Sequence, residues 1–153
     1  MVIKFDLFDI PITKSDKKEG TLHYKLKIAI LQHLRNKIKN LIAVYYDEVF
    51  IETPKREYSY QPDVVIKCKK KQIWVEIETN PWRIYEKTVK LFFLQSLKEK
   101  EWPTSIVFCI PQLPPRPNRF KFVAKRLFSL LKIEKKEIYT FEKRKLIKKV
   151  LEC

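Results

Sequence analysis

The sequence predicts an α/β fold in which helices flank a mixed central sheet. Three observations predict it. Helical apolar stripes alternate with short runs rich in Val, Ile, Tyr and Phe. One pair of those runs reads as a hairpin, followed by helix, strand and helix. At 153 residues and 45% hydrophobic composition, the chain is long enough to enclose one core, which makes 1–153 a single domain.

The elements follow in order. Met1 to Thr13 alternates acids with apolar residues and lacks the uninterrupted apolar stretch of a signal peptide. From Ser15 to Lys39, Leu22, Leu26, Ile30, Leu34 and Ile38 recur every four positions, a helical stripe that Ser15 or Asp16 would cap. Leu41 to Ile51 reads as a strand. Beyond the turn material around Pro54, Asp63 to Cys68 and Gln72 to Glu78 read as two strands, a hairpin joined through Lys69, Lys70 and Lys71. Pro81 marks the start of a second helix running to about Lys100. Thr104 to Ile110 is a compact apolar run that should be a buried strand, closed by the Pro111 to Pro117 loop. Phe120, Val123, Ala124, Leu127, Leu130 and Leu131 then keep helical spacing, Glu137 to Phe141 is a short strand, and Glu142 to Leu151 a last helix. The core therefore spans about 15–110, with a basic, helical C-terminal extension over about 116–153.

Charge narrows the function. A net charge of +15 costs stability through self-repulsion unless a polyanion screens it, which points to nucleic acid. Arg116 to Val150 holds 13 Lys or Arg against the acids Glu134, Glu137 and Glu142, so this third should face phosphates. Arg116, Arg119, Lys121, Lys125 and Arg126 are its leading candidates, with Arg83 on the second helix. One glycine leaves no glycine-rich phosphate loop, against a P-loop ATPase or dinucleotide enzyme. Cys68, Cys109 and Cys153 form no C-x-x-C pair, which points to a reducing, cytoplasmic compartment, and Cys68 and Cys109 read as core residues. No segment approaches membrane-spanning length, so a membrane is not an expected partner.

Against this basic background stand Asp63 in Gln61-Pro62-Asp63-Val64-Val65-Ile66 and Glu76 and Glu78 in Trp74-Val75-Glu76-Ile77-Glu78-Thr79. A hairpin places Asp63 opposite Glu76, and the strand period of two puts Glu76 and Glu78 on one face. Three convergent carboxylates repel unless a cation neutralises them, and hard oxygen ligands suit Mg²⁺ or Mn²⁺. The alternative is that Glu76 and Glu78 are exposed edge-strand charges paired with the lysines of the hairpin turn.

Pro62-Asp63, a short hairpin and Glu76-Ile77-Glu78, on an αβββαβ order over roughly Ser15 to Ile110, resemble the PD-(D/E)XK nuclease superfamily signature. The resemblance implies a restriction-endonuclease-like core, with Asp63 and Glu76 holding a divalent metal, helped by the carbonyl of Ile77. It implies a metal-activated water that cleaves phosphodiester bonds. Glu19 matches the place where many members carry a further acid. The departure is Glu78, which stands where the family has a lysine. Some members take that lysine from the following helix, where Arg83, Lys87 and Lys90 share a face opposite Tyr85, Val89, Phe92 and Ser96. Lys87 is the first choice and Lys90 the second.

The expected function is thus a metal-dependent nuclease acting on duplex, single-stranded or branched DNA. A homodimer is expected where both strands are cut, since symmetric cleavage needs two sites. The alternative is a non-catalytic DNA- or RNA-binding protein on a degenerate nuclease fold. A third reading is a basic protein of membrane surfaces or ribosomes. His23 and His33 read as surface or helix-packing residues, Glu52 as a possible neighbour of the site, and Trp74, Trp82 and Trp102 as core aromatics rather than base-stacking ones.

Overall fold

The structure is a computed structural model, and it describes residues 3–5, 21–37, 43–46, 60, 62–68, 71–97, 102–142 and 146–153. Ser15, Asp16, Glu19 and Glu52 lie outside the described residues. The elements are β1 (Ile3–Phe5), α1 (Thr21–Lys37), β2 (Ala43–Tyr46), β3 (Val64–Cys68), β4 (Lys71–Ile77) and α2 (Arg83–Leu97). They continue with β5 (Ser105–Ile110), α3 (Pro117–Phe128), β6 (Lys135–Glu142) and β7 (Leu146–Glu152).

All described strands join one mixed sheet in which neighbours in sequence are neighbours in space. β1 to β4 form an antiparallel meander, β4, β5 and β6 run parallel, and β7 returns antiparallel to β6. Parallel neighbours need a crossover, and α2 and α3 supply the two that the β4–β5 and β5–β6 pairs require.

The period-two alternation of the strands divides the core into two layers. On one face Val64, Ile66, Val75, Ile77, Val107, Cys109 and Tyr139 pack against Leu26, Ile30, Leu31 and Leu34 of α1. On the other, Val65, Trp74, Ile106, Phe108, Ile110 and Ile138 pack against α2 and α3 through Ile84, Leu91, Leu94, Phe120, Ala124 and Phe128. β5 is buried from Ile106 to Ile110, as its unbroken apolar run requires of a strand covered on both faces.

One expectation is corrected, and two features are added. Residues 146–152 form a strand, not the expected last helix, so the C-terminal third extends the sheet rather than adding a helical appendage. Lys and Leu are good helix formers, but propensity is worth only tenths of a kcal/mol per residue, and pairing with β6 from Glu142↔Leu146 to Glu137↔Glu152 outweighs it. β1 was not anticipated in the N-terminal segment; its three residues pair with β2. The inward face of α2 is Ile84, Thr88, Leu91 and Leu94, whereas Val89 and Phe92, placed opposite the basic residues, are 50% and 42% exposed. Among the described residues no helix is long and apolar enough to cross a membrane.

Candidate active site

Four chain segments meet at one end of the sheet. Asp63 immediately precedes β3, and the register Val64↔Val75 carries it beside Glu76. Glu76 shares the α2 face of β4 with Trp74, two residues before it, and Glu78 follows where the strand ends. α2 begins five residues after Glu78, so its first turns lie over the carboxyl end of β4. His23, in the first turn of α1, reaches the same end.

Glu76 is fully buried and Glu78 is 3% exposed, which overturns the reading of both as edge charges. β4 lies between β3 and β5, so neither side of it is an edge at all. Glu76 accepts two hydrogen bonds: Tyr60 donates its hydroxyl to Oε1 at 2.5 Å, and Lys87 donates its ammonium to Oε2 at 2.7 Å. Lys87 also contacts Glu78, and its Nζ is 3.9 Å from Oδ2 of Asp63. Asp63 accepts the backbone N–H of Ile77 at 2.7 Å through Oδ2, while Nε2 of His23 stands 3.6 Å from Oδ1. A strand residue sends its N–H and C=O to the same side, so the Ile77 carbonyl leaves on the Asp63 side.

The electrostatics follow from burial and from these partners. Burial pushes the Glu76 carboxyl up to about 8, Lys87 pulls it down, and the neighbouring Asp63 charge pushes it up again. Burial raises Asp63 too, but His23, Lys87 and the Ile77 N–H outweigh it and hold the carboxyl below its ordinary value. For Lys87, burial favours the neutral amine, and the three carboxylates overcome this and hold the ammonium above its usual range. Burial, with Glu76 beside it, keeps the Tyr60 hydroxyl protonated.

The remaining candidates are dispersed. Lys90 does not join the acids; its ammonium lies 6.0 Å from the centroid of the Tyr60 ring. Arg83, Arg116, Arg119, Lys125 and Arg126 are exposed and Lys121 is half-buried. Several basic groups beyond α3 are committed internally. Lys136 is 8% exposed and donates to the carbonyls of Phe128 and Leu131, closing the end of α3, and Lys149 pairs with Glu137 at 2.9 Å. Among the described residues, the exposed basic side chains of this third include Arg116, Arg119, Lys125 and Arg126, on α3 and immediately before it.

Sequence reasoning missed Tyr60 and His23. Nothing local distinguishes Tyr60 from its neighbours, and His23 carried only the sign of lying near the start of a helix that the site resemblance already involved. Trp74 is buried as expected, whereas Trp82 is 49% exposed. Cys109 is buried, its thiol pushed up to about 12 by desolvation, and it is an inert core residue.

Among the described residues no three His, Cys, Asp or Glu side chains form a ready-made metal cage. The donor set still fits Mg²⁺ or Mn²⁺. Mg²⁺ is commonly held by one or two carboxylates and completed by substrate phosphate and water. The buried Glu76 beside Asp63 is such a pair.

No protein-family model, no curated protein and no solved structure matches the chain.

Proposed function

We propose that this chain is a divalent-metal-dependent nuclease hydrolysing phosphodiester bonds of DNA, with Asp63 and Glu76 as metal ligands and Lys87 as the displaced lysine. The observation that carries the proposal is Lys87 itself. Glu78 occupies the lysine position of the PD-(D/E)XK pattern, and an ammonium from α2 reaches the same carboxylates instead. The run α1, β2, β3, β4, α2, β5, with β4 and β5 parallel, supports the resemblance to a restriction-endonuclease-like core.

A metal held by Asp63 and Glu76, with the Ile77 carbonyl nearby, supplies a Lewis acid for the phosphate and lowers the pKa of a bound water. The protein's own groups do the rest. Tyr60 fixes the orientation of Glu76, and the Ile77 N–H fixes that of Asp63. Glu76, Asp63 and Glu78 hold the Lys87 ammonium charged beside the proposed metal ligands, where it would stabilise negative charge developing on the phosphate. His23, beside Asp63, is placed to take or return a proton at the same end of the sheet.

Plasmid, single-stranded and branched DNA incubated with the protein in Mg²⁺ or Mn²⁺ test the reading. At least one should be cut, and Asp63→Ala, Glu76→Ala and Lys87→Ala should each abolish cutting while DNA binding persists. Cleavage unchanged in the Asp63 and Glu76 variants sinks the proposal. The second reading, a non-catalytic DNA or RNA binder, is favoured by one observation: Lys87 pairs directly with Glu76 and Glu78 and so offsets part of the acidic cluster's charge. It requires metal-independent binding and no cleavage of any substrate.

A further inference from the structure

The groove between the beginnings of α2 and α3 is unlike the rest of the basic surface. It is a cavity of about 390 Å³ lined by Trp82, Tyr85, Phe120, Arg116 and Arg119, with Pro115 and Val123 at its margins. Its volume falls within the ~300–1,000 Å³ of ordinary ligand pockets. The three rings form one cluster in which Phe120 is buried and Trp82 offers the exposed indole. Tyr85 stacks on Phe120 at 5.3 Å and 26°, and Trp82 stands edge-on to Phe120 at 5.6 Å and 84° and to Tyr85 at 5.8 Å. The Tyr85 hydroxyl is anchored by donating to the carbonyl of Phe120 at 3.0 Å. Trp82 leaves half its surface to solvent although it belongs to this cluster.

Among the described residues no acid lines the cavity, and α3 has no acid in its first turn. Arg116 and Arg119 are both exposed at its edge. Aromatic faces with guanidinium groups beside them suit a planar, electron-rich ring that carries an anion. α2 and α3 follow β4 and β5, which run parallel, so the cavity opens at the same carboxyl end of the sheet as Asp63, Glu76 and Lys87. Tyr85 and Lys87 leave α2 about 200° apart, so cavity and acids lie on opposite flanks of one helix, roughly 10 Å across. A strand rising ~3.4 Å per nucleotide crosses that distance in a few nucleotides.

We infer that this cavity is a subsite for an unpaired nucleotide of the DNA strand, its base stacked on the Trp82 indole and its phosphate held by Arg116 and Arg119. The inference deepens the nuclease reading, on which it rests for the identity of the polyanion, and assigns it a substrate with single-stranded or locally unpaired DNA. Sequence preference is not expected, because stacking accepts any base.

The test uses the full chain in EDTA, where no cleavage occurs. A fluorescein-labelled dodecathymidylate is compared by anisotropy with an oligonucleotide of equal length and phosphate count carrying abasic residues. The base-bearing strand should bind about tenfold tighter and quench tryptophan emission. Trp82→Ala should erase that preference, Trp82→Phe should largely retain it, and Arg119→Gln should weaken both strands alike. A melting curve of each variant checks that it is folded. Equal affinity of the wild-type protein for the two oligonucleotides, or an undiminished preference in a folded Trp82→Ala variant, overturns the subsite. So does equally tight binding of a polyglutamate of matching charge. The two readings fail separately: base-dependent binding without cleavage under Mg²⁺ retains the subsite and removes the nuclease. Cleavage of single-stranded DNA with KM unchanged by Trp82→Ala does the reverse.

Discussion

Lys87 donates to Glu76 at 2.7 Å from the opposite element of the site, an ammonium on a helix meeting a fully buried carboxyl on an interior strand. Each has one further kind of partner at that depth: Tyr60 donates to the other oxygen of Glu76, and Lys87 also meets Glu78 and Asp63. Glu76 has no access to water, and Lys87, with its side chain 23% exposed, is surrounded by Glu76, Glu78 and Asp63. The pair therefore ties α2 to the sheet, besides placing charge at the proposed site.

Replacing Lys87 with Met should destabilise the fold. Lys87 is a cation shared by Asp63, Glu76 and Glu78, and removing it from this partly exposed position should cost about 2 kcal/mol. Urea denaturation at neutral pH measures it. A loss below about 0.5 kcal/mol would show the pair to be a surface-like contact.

Glu76→Gln should change how stability depends on pH. Below the unfolded value of 4.5 the carboxyl is protonated in both states, and up to about 8 the folded chain keeps a proton that the unfolded chain has lost. The wild-type stability contributed by this group is therefore fully present at low pH and is lost as pH rises from about 4.5 through 8. Gln cannot ionise, so the variant should gain on the wild type as pH rises, by about 2–4 °C in Tm for each kcal/mol. Contact of the amide with Lys87 adds a pH-independent offset, so the slope is the readout. Parallel Tm curves from pH 5 to 9 would contradict the burial assigned to Glu76.

Lys149→Ala tests the C-terminal strand. Lys149 meets Glu137 at 2.9 Å across the β6–β7 hairpin, and the Glu137 side chain is 7% exposed. Losing the ammonium leaves that carboxylate with Tyr139 as donor at 2.7 Å and the Lys135 ammonium at 3.7 Å, and should cost on the order of 1 kcal/mol. A double-mutant cycle with Glu137→Gln should show coupling; additive effects would argue that the two side chains do not meet.

Basic residues should divide into two classes under a salt titration of DNA affinity. Arg119→Gln and Lys125→Gln, both exposed on α3, should each lower the slope of log K against log salt by roughly 0.7–0.9. Lys136→Gln should instead lower the melting temperature and leave the slope alone, because its ammonium is used by the carbonyls of Phe128 and Leu131. Equal slopes for all three variants would place the nucleic acid elsewhere.

Much of the architecture was legible in the sequence because it is written in local periods. The four-residue recurrence of Leu26, Ile30 and Leu34 marks α1, and the unbroken apolar run ending at Ile110 marks a strand covered on both faces. The hairpin register that brings Asp63 to Glu76 follows from the two strands being consecutive. Residues 146–152 were misread because Leu-Ile-Lys-Lys-Val-Leu suits a helix or a strand, and only the partner strand decides.

The sequence by itself determined the α/β class, the basic surface and the juxtaposition of Asp63 with Glu76, since each depends on composition or on pairing between neighbours in the chain. The tertiary structure alone decided the rest. Lys87 and Lys90 share a helical face in projection, yet only the docking of α2 on the sheet turns Lys87 to the carboxylates and leaves Lys90 above the Tyr60 ring. The same docking leaves Trp82 exposed beside Arg119, and the packing of α1 on the other face brings His23 to Asp63 from forty residues away in the chain. Such meetings depend on how helices lie over a sheet, and no period within a single element encodes that placement.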